Sequence, residues 1–295
     1  LVRILNLWVG GRFAASLGTD LSVMCYRRII NQPYEFHINK NSSQFISLLA
    51  KEISSTVTIF AKILHMFASL IILIFLSSFL IIFNWKIFTS ASLAFLSIYL
   101  LIILNSKNLL SSNSKLITYL NSNQVKILQE SVGSIRDIIL NRLSSYYSKI
   151  YVSNEYKLQN KNAQNRFINM FPRYAIEGIS LSAISLTAYL LVNSFNNNDC
   201  IIPILAISAI AVQKILPNFQ LVYSTWTTIQ SNRSALDKVL DYLDRYTYLK
   251  DKFLKNTVEF KQSIELKNVC FKYNSNARKY TINNLNLMIK KGDRI

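Results

Sequence analysis

The sequence predicts an all-α polytopic membrane domain followed by two β-strands that begin a separate soluble domain. The main indication is a pair of uncharged apolar runs, 66–83 and 87–104, each eighteen residues long. At about 1.5 Å of rise per residue, each run would form a helix of roughly 27 Å, close to the hydrocarbon thickness of a bilayer. The second indication is that apolar residues alternate with polar ones after Ser263, as in half-buried strands. Two buried helices of a soluble core are the alternative, but such helices usually keep a polar stripe.

The charge of the chain is explained by membrane topology. Its 295 residues carry a formal net charge of +18, spread from Arg3 to Arg294 rather than clustered on one element, which argues against a nucleic-acid partner. The segment 105–173 holds ten Lys and Arg against three acids, whereas the connections 84–86 and 193–199 hold one Lys between them. By the positive-inside rule, the long basic segment is expected in the cytoplasm and the two short connections outside.

The membrane domain is expected to cover 1–230, with helices that continue beyond the bilayer. The predicted spans are 1–26, 66–83, 87–104, 178–195 and 200–226, and the cytoplasmic extensions are 27–65 and 105–173. Apolar spacing from Ser42 runs into the first apolar run without Gly or Pro, which predicts one helix of about forty residues, longer than a bilayer is thick.

Prolines are expected to break the helices. Pro33 should end the first helix, because proline removes a backbone donor and disfavours α geometry in the residue before it. A short polar turn is predicted over 34–40. A polar helical run should likewise end at Phe171 and Pro172, before the span that begins near Gly178.

The last part of the chain has a different character. Residues 231–262 are predicted to form a linker helix and linker, and 263–295 the start of the soluble domain. The first strand alternates, slips by one position before Val269, and resumes. The chain starts with Leu rather than Met, and Ile295 interrupts an apparent strand, so both ends are expected to be cut from a longer chain.

No catalytic or metal site is predicted. The three cysteines, Cys25, Cys200 and Cys270, are far apart and have neither disulfide nor metal spacing. His37 and His65 are lone histidines without a partner at ligand spacing.

The segment 264–273, together with 285–287 and 292–295, resembles the opening of an ABC transporter ATPase domain, an α/β P-loop fold. The resemblance implies that Tyr273 stacks on the adenine of ATP, a contact that a flat π-face suits. Without it, Tyr273 is an edge-strand aromatic. The sequence stops before the phosphate loop of that family. ATP and Mg²⁺ are therefore expected to bind the full-length protein, and these residues alone are expected neither to bind ATP tightly nor to hydrolyse it.

The membrane part resembles a type I ABC exporter half-transporter, in which long helices protrude into the cytoplasm and two coupling segments press on the ATPase domains. The resemblance places the first segment on Gln32, Pro33, Tyr34, Glu35 and Phe36, and the second on Asn141, Arg142, Tyr146 and Tyr147. Ordinary inter-helix turns are the alternative. The resemblance also implies a second copy of the chain, or a homologous half-transporter, because ABC ATPase domains close on ATP as a pair.

Three phrases, 33–37, 172–177 and 214–217 followed by Tyr223, are similar to the subgroup that flips lipid-linked oligosaccharides and to related polysaccharide exporters. The first span and outer segment of those flippases are absent. This similarity implies ATP-driven movement of a lipid-linked saccharide across the plasma membrane, or the inner membrane of a bacterium. The alternatives are a multidrug, lipid or peptide exporter and, in another class, a non-catalytic membrane scaffold or channel.

Ionisable residues near the spans suggest a substrate path. Arg173 and Glu177 lie four apart where a span begins, and Lys214 lies within the last span. Ionisable groups at membrane depth usually face protein or a water-filled cavity, and a cationic cavity would suit a pyrophosphate-linked head group. In the alternative, these residues have a purely structural role: Arg173 and Glu177 pair with each other, and the Lys214 side chain extends to the membrane–water interface.

Overall fold

The computed structural model describes residues 2–83, 85–194, 201–245, 260–273 and 279–294. Long helices dominate these ranges, and a β-hairpin follows them. The helices are α1 (Val2–Ile30), α2 (Tyr34–Ile38), α3 (Ser42–Ser47), α4 (Ile53–Phe83), α5 (Trp85–Gly133), α6 (Ile135–Leu140), α7 (Ser144–Ser194), α8 (Ile201–Ser231) and α9 (Arg233–Arg245), with a π-turn at Leu48–Glu52. The strands are β1 (Ser263–Phe271) and β2 (Ile282–Lys290).

The long helices predicted from the sequence are present in the structure. The chain is helical without interruption from Ser42 to Phe83. One turn of this stretch, Leu48–Glu52, is π-helical, and the rest is α-helical. Helix α5 has 49 residues, a length of about 74 Å against a hydrocarbon core of about 30 Å. It ends at Gly133, the first glycine or proline after Pro33.

Membrane-spanning character is clearest at the first apolar run. Within the described residues, the helical stretch Ser42–Ser78 is long and apolar enough to cross a membrane by length and composition, with a mean hydropathy of 2.4. The run 87–104 lies inside α5, and the run 178–195 lies inside α7 except for its last residue, which is outside the described ranges. The other spans, their orientation and the domain boundaries stay predictions.

The predicted break at Pro33 is confirmed, because α1 ends at Ile30, but one predicted break and one predicted turn are wrong. Helix α7 continues through Pro172 instead of ending there, and residues 34–38 form the short helix α2 where a polar turn was expected. A proline inside a helix costs about 3 kcal/mol through its missing N–H and a clash with the carbonyl four residues back. Packing offsets that cost, because Pro172 is fully buried between neighbouring helices. The predicted outer loop at 196–199 lies outside the described residues.

Apolar clusters hold the helices together at two levels. One cluster joins α5, α7 and α8 through Tyr99, Ile176, Leu216 and Tyr223. The other joins α1, α3, the π-turn, α4 and α9 and consists of Cys25, Ile29, Phe45, Leu48, Ile53, Val239 and Tyr242. Full burial of such side chains stabilises by about 1.5–3 kcal/mol each. Helix α9 is therefore part of the same packed unit as the helices that precede the first apolar run.

The hairpin confirms the predicted change to strand periodicity. Strands β1 and β2 pair antiparallel, with Leu266 opposite Leu287 and Val269 opposite Leu285. The register shifts between Leu266 and Val269, which confirms the slip expected from the sequence. Asn268 occupies the extra position with φ 47°, as in a β-bulge. Its backbone N–H donates to Asn286 Oδ1 at 2.8 Å.

Candidate functional site

A cavity lies between α4, α7 and α8. Its volume is about 350 Å³, and it is lined by Lys62, Arg166, Asn169, Met170, Arg173, Tyr174, Pro217, Gln220, Leu221 and Ser224. The lining carries three cationic side chains and no carboxylate. Such a lining creates a positive potential, which favours an anionic ligand over a neutral or cationic one.

The three cations converge because of helix geometry. Arg166 and Arg173 are seven residues apart on α7, so they project from nearly the same face two turns apart. Lys62 comes from α4, about one turn before the first apolar run, and its Nζ donates to Thr228 Oγ1 at 2.8 Å. In return Thr225 Oγ1 contacts the Lys62 carbonyl at 3.3 Å. These contacts with α8 hold the Lys62 side chain at the edge of the cavity.

Beside the cavity, a hydrogen bond from Tyr223 of α8 joins α7 near Pro172. Pro172 has no N–H, so it cannot donate to the carbonyl of Ile168, its ordinary partner four residues back. Tyr223 from α8 donates to that carbonyl instead, at 2.9 Å. One residue further on, Gln220 Nε2 donates to the Asn169 carbonyl at 2.9 Å. The phrase 172–177 is far in the sequence from 214–217 and Tyr223. The packing of α7 on α8 brings them together in the structure.

The cavity contains one of the three predicted substrate-path residues. All three side chains are exposed, and Arg173 lines the cavity whereas Glu177 and Lys214 are not among the residues that line it. The Arg173–Glu177 pair expected if these residues have a purely structural role is not among the ion pairs of the described residues. Sequence reasoning missed Lys62 and Arg166. A charge one turn before an apolar run, and a second arginine seven residues before Arg173, were the signals available.

The first predicted coupling segment is a short helix with one anchored ring. Phe36 stacks on Phe45 with ring centroids 5.4 Å apart, while Tyr34 is 71 % exposed and Glu35 is exposed. Pro33 occupies the N-cap position of α2, and Gln32 Nε2 donates to the Arg28 carbonyl at the end of α1. The packing of Phe36 therefore holds the segment in place. The side chains of Tyr34 and Glu35 are exposed and available for contact with another surface.

The second predicted coupling segment lies at a tight turn. The short helix there is α6 (Ile135–Leu140), just before the predicted residues. Asn141 and Arg142 form the turn, with Arg142 in the left-handed region at φ 52°. Tyr146 and Tyr147 then begin α7, their rings edge to face at 5.6 Å. The left-handed residue costs about 1 kcal/mol or more.

Tyr273 follows directly after β1. Its side chain is 51 % exposed, and its ring packs edge to face against Phe271 at 5.0 Å. A half-exposed ring held by an aromatic neighbour fits the geometry needed for stacking on a planar base. Residues 274–278 lie outside the described ranges.

The order of these elements, long helices joined by short turns and followed by an antiparallel hairpin, is that of an ABC exporter transmembrane domain with the start of its ATPase domain. Among solved structures, the chain is similar to a bacterial Atm1-family ABC exporter with ATP bound, at a TM-score of 0.71 and 12 % sequence identity. The likeness covers 97 % of this chain and 50 % of that exporter, so this sequence spans about half its length. It confirms the predicted fold class of a type I exporter. No family model matches the sequence.

Proposed function

We propose that this chain is the membrane part of an ATP-driven exporter that moves an amphipathic molecule with an anionic head group, specifically a lipid-linked saccharide. The observation that carries the proposal is the cavity in which Lys62, Arg166 and Arg173 meet without a lining carboxylate. Guanidinium groups bind phosphate oxygens through paired hydrogen bonds, and an ammonium group adds a point charge. A pyrophosphate that joins a lipid to a sugar fits such a set.

The cavity also offers apolar surface for the lipid side of the substrate. Met170, Tyr174 and Leu221 lie among its lining residues, and the ring of Tyr174 is 64 % exposed. A head group held by the cations would leave a chain free to follow this surface into the bilayer. The proposal therefore places transport in the plasma membrane, or the inner membrane of a bacterium.

ATP would supply the energy in the full-length protein. Within the described residues, Tyr273 would contribute to the nucleotide site, because its half-exposed ring fits adenine stacking. A second copy, or a homologous half-transporter, would complete the ATPase pair. The coupling segments around Tyr34 and Tyr146 would pass the closure of that pair to the spanning helices.

Charge in the cavity provides the test. In proteoliposomes with the full-length protein, Arg173→Gln is expected to slow ATP-dependent flipping of a fluorescent polyprenyl-pyrophosphate saccharide by about tenfold or more, since charged hydrogen bonds contribute about 1.5–3 kcal/mol each. Lys62→Met is expected to act in the same direction. Transport of an uncharged glycolipid analogue should be slower than that of the pyrophosphate lipid in the unchanged protein.

The control is Lys214→Gln, which removes an exposed cation of α8 that does not line the cavity. It is expected to leave flipping unchanged. Equal losses from Lys214→Gln and Arg173→Gln would contradict the assignment of the cavity. Faster transport of a cationic or neutral drug than of the pyrophosphate lipid would favour the multidrug alternative, and a complete lack of ATP hydrolysis would favour the scaffold.

A further inference from the structure

One face of α9 makes two separate contacts around the first coupling segment. Lys238 and Tyr242 lie four residues apart on α9, so they project from the same face one turn apart. Lys238 reaches Glu52 in the π-turn, at 3.6 Å between Nζ and Oε1. Tyr242 reaches Lys40, just after α2, at 3.4 Å between the hydroxyl and Nζ. Helix α9 connects α8 to the segment that continues to β1.

The π-turn is what brings Glu52 into this position. Residues five apart on a regular α-helix are rotated by about 140° from each other and do not meet. The wider turn allows the Ile53 N–H to reach the Leu48 carbonyl and sets Ser47 beside Glu52, with Ser47 Oγ donating to Oε1 at 2.8 Å. π-Turns are rare in proteins, and those that occur often lie at functional sites.

The Glu52 carboxylate depends on Lys238. Its side chain is 1 % exposed, and Oε2 has no hydrogen-bond partner among the described residues. If α9 moved away, the carboxylate would lose its cationic partner and keep Ser47 as its described donor, which is unfavourable for a charge that stays even partly buried. Lys238 also donates to Ser122 Oγ of α5 at 3.4 Å. The pair therefore opposes any separation of α9 from the π-turn.

The second contact joins α9 to the coupling segment itself. The Lys40 ammonium lies 4.7 Å from the Phe36 ring centroid and 4.8 Å from that of Tyr242, within the range of cation–π attraction. Phe36 belongs to α2 and stacks on Phe45, whose ring meets Tyr242 edge to face at 6.3 Å. Movement of Tyr242 would therefore disturb Phe36 through the shared Lys40.

We propose that the Lys238–Glu52 pair and the Lys40–Tyr242 contact form a clamp that keeps α9 docked on the π-turn and α2 throughout the transport cycle. A displacement of the domain that begins at β1 then reaches α2 through α9 of the same chain, in addition to any direct contact with the coupling segments. The inference rests on the proposed function. It assigns Lys238 and Glu52 as positioning residues, not as substrate-binding ones.

The test uses distances between spin labels in the full-length protein. Labels at Tyr34→Cys and Leu240→Cys, both on exposed positions, report the separation of α2 and α9 in a background without other exposed cysteines, with excess unlabelled protein to suppress distances between copies. We expect one distance, the same without nucleotide and after trapping with ATP and vanadate. Lys238→Met is expected to raise the fraction of a second, longer distance about tenfold, a coupling typical of contacting charged residues.

Two variants make the outcome decisive. Arg233→Met removes an exposed ion pair of the same helix, Arg233–Asp237 at 3.9 Å, and is expected to change nothing. The double variant K238M/E52Q removes the buried charge together with its partner, so it is expected to fold and to return most of the population to the short distance. If Lys238→Met alone does not fold, the unchanged protein with and without trapped ATP still decides, since a second distance there would overturn the clamp.

A nucleotide-dependent second distance in the unchanged protein would overturn the clamp, as would unaltered distances in Lys238→Met or purely additive effects in the double variant. The comparison without nucleotide does not require transport. A protein that never hydrolyses ATP would therefore refute the proposed function, while the distances in Lys238→Met would still decide the clamp.

Discussion

At the scale of single residues, Tyr223 repairs the defect that Pro172 introduces into α7. The carbonyl of Ile168 lacks an intrahelical donor because the residue four positions later is proline, and the Tyr223 hydroxyl fills the vacancy at 2.9 Å. Both side chains are buried. An unpaired buried carbonyl costs about 1–3 kcal/mol, so this contact offsets the part of the proline's cost that comes from the missing donor.

Tyr223→Phe is therefore expected to destabilise the protein by about 1–3 kcal/mol, seen as a lower melting temperature in detergent or nanodiscs. In a Pro172→Ala background the helix regains its own N–H donor, and the same tyrosine substitution should then cost much less. Tyr189→Phe, which removes a hydroxyl from a side chain 65 % exposed on α7, is the control. Equal losses in both backgrounds would contradict the pairing.

Residue roles were the part of the site that the sequence predicted least. Arg173 was identified because a charge where a span begins is unusual. Lys62 and Arg166 were not, because their role depends on how α4 and α7 approach α8. Lys214 was assigned to the path from its position in the span; it is not among the residues that line the cavity, and its role stays a prediction. The spacing of residues in a sequence shows which of them share one face of a helix. It does not show which faces of two helices pack against each other.

At the scale of elements, the hairpin of β1 and β2 is incomplete by itself. Its apolar residues stay open on both faces, with Ile264 49 %, Leu287 43 % and Met288 54 % exposed. A two-stranded hairpin is marginally stable in water and needs further strands or a helix to cover an apolar face. Covering these faces requires further strands or a helix packed on the hairpin.

A peptide of residues 260–294 is accordingly expected to be largely unfolded in water, without the far-ultraviolet circular dichroism of a hairpin. The reason is that the entropy of ordering about thirty residues exceeds what one exposed strand pair can recover. A cooperative thermal transition of this peptide would show that the hairpin folds independently and would contradict this expectation.

The sequence predicted which helices and strands exist better than it predicted where each of them ends. The absence of Gly and Pro between Pro33 and Gly133 predicted the long helices correctly. The end expected at Pro172 was wrong because a partner on another helix replaced the missing donor. The π-turn at Leu48–Glu52 was not predicted, since the residue it adds shifts the apolar stripe within a single turn and the spacing on either side stays helical.

At the scale of the whole molecule, the cavity and the clamp share helices. Lys62 and the π-turn both belong to the helical stretch from Ser42 to Phe83, and α8, which faces the cavity, continues almost directly into α9. Motion of α9 therefore has a short covalent and packed route to the cavity wall. This continuity is what the proposed transporter needs, in which movement of the domain that begins at β1 would reach the cavity.

The central claim is that ATP drives the movement of an anionic amphiphile through this membrane domain. The most direct measurement is flipping of the fluorescent polyprenyl-pyrophosphate saccharide by the purified full-length protein in proteoliposomes, with ATP and with a non-hydrolysable ATP analogue. The account predicts sustained flipping with ATP alone, slowed by Arg173→Gln and unaffected by Lys214→Gln. Flipping at the same rate with both nucleotides, or no flipping with either, would contradict it.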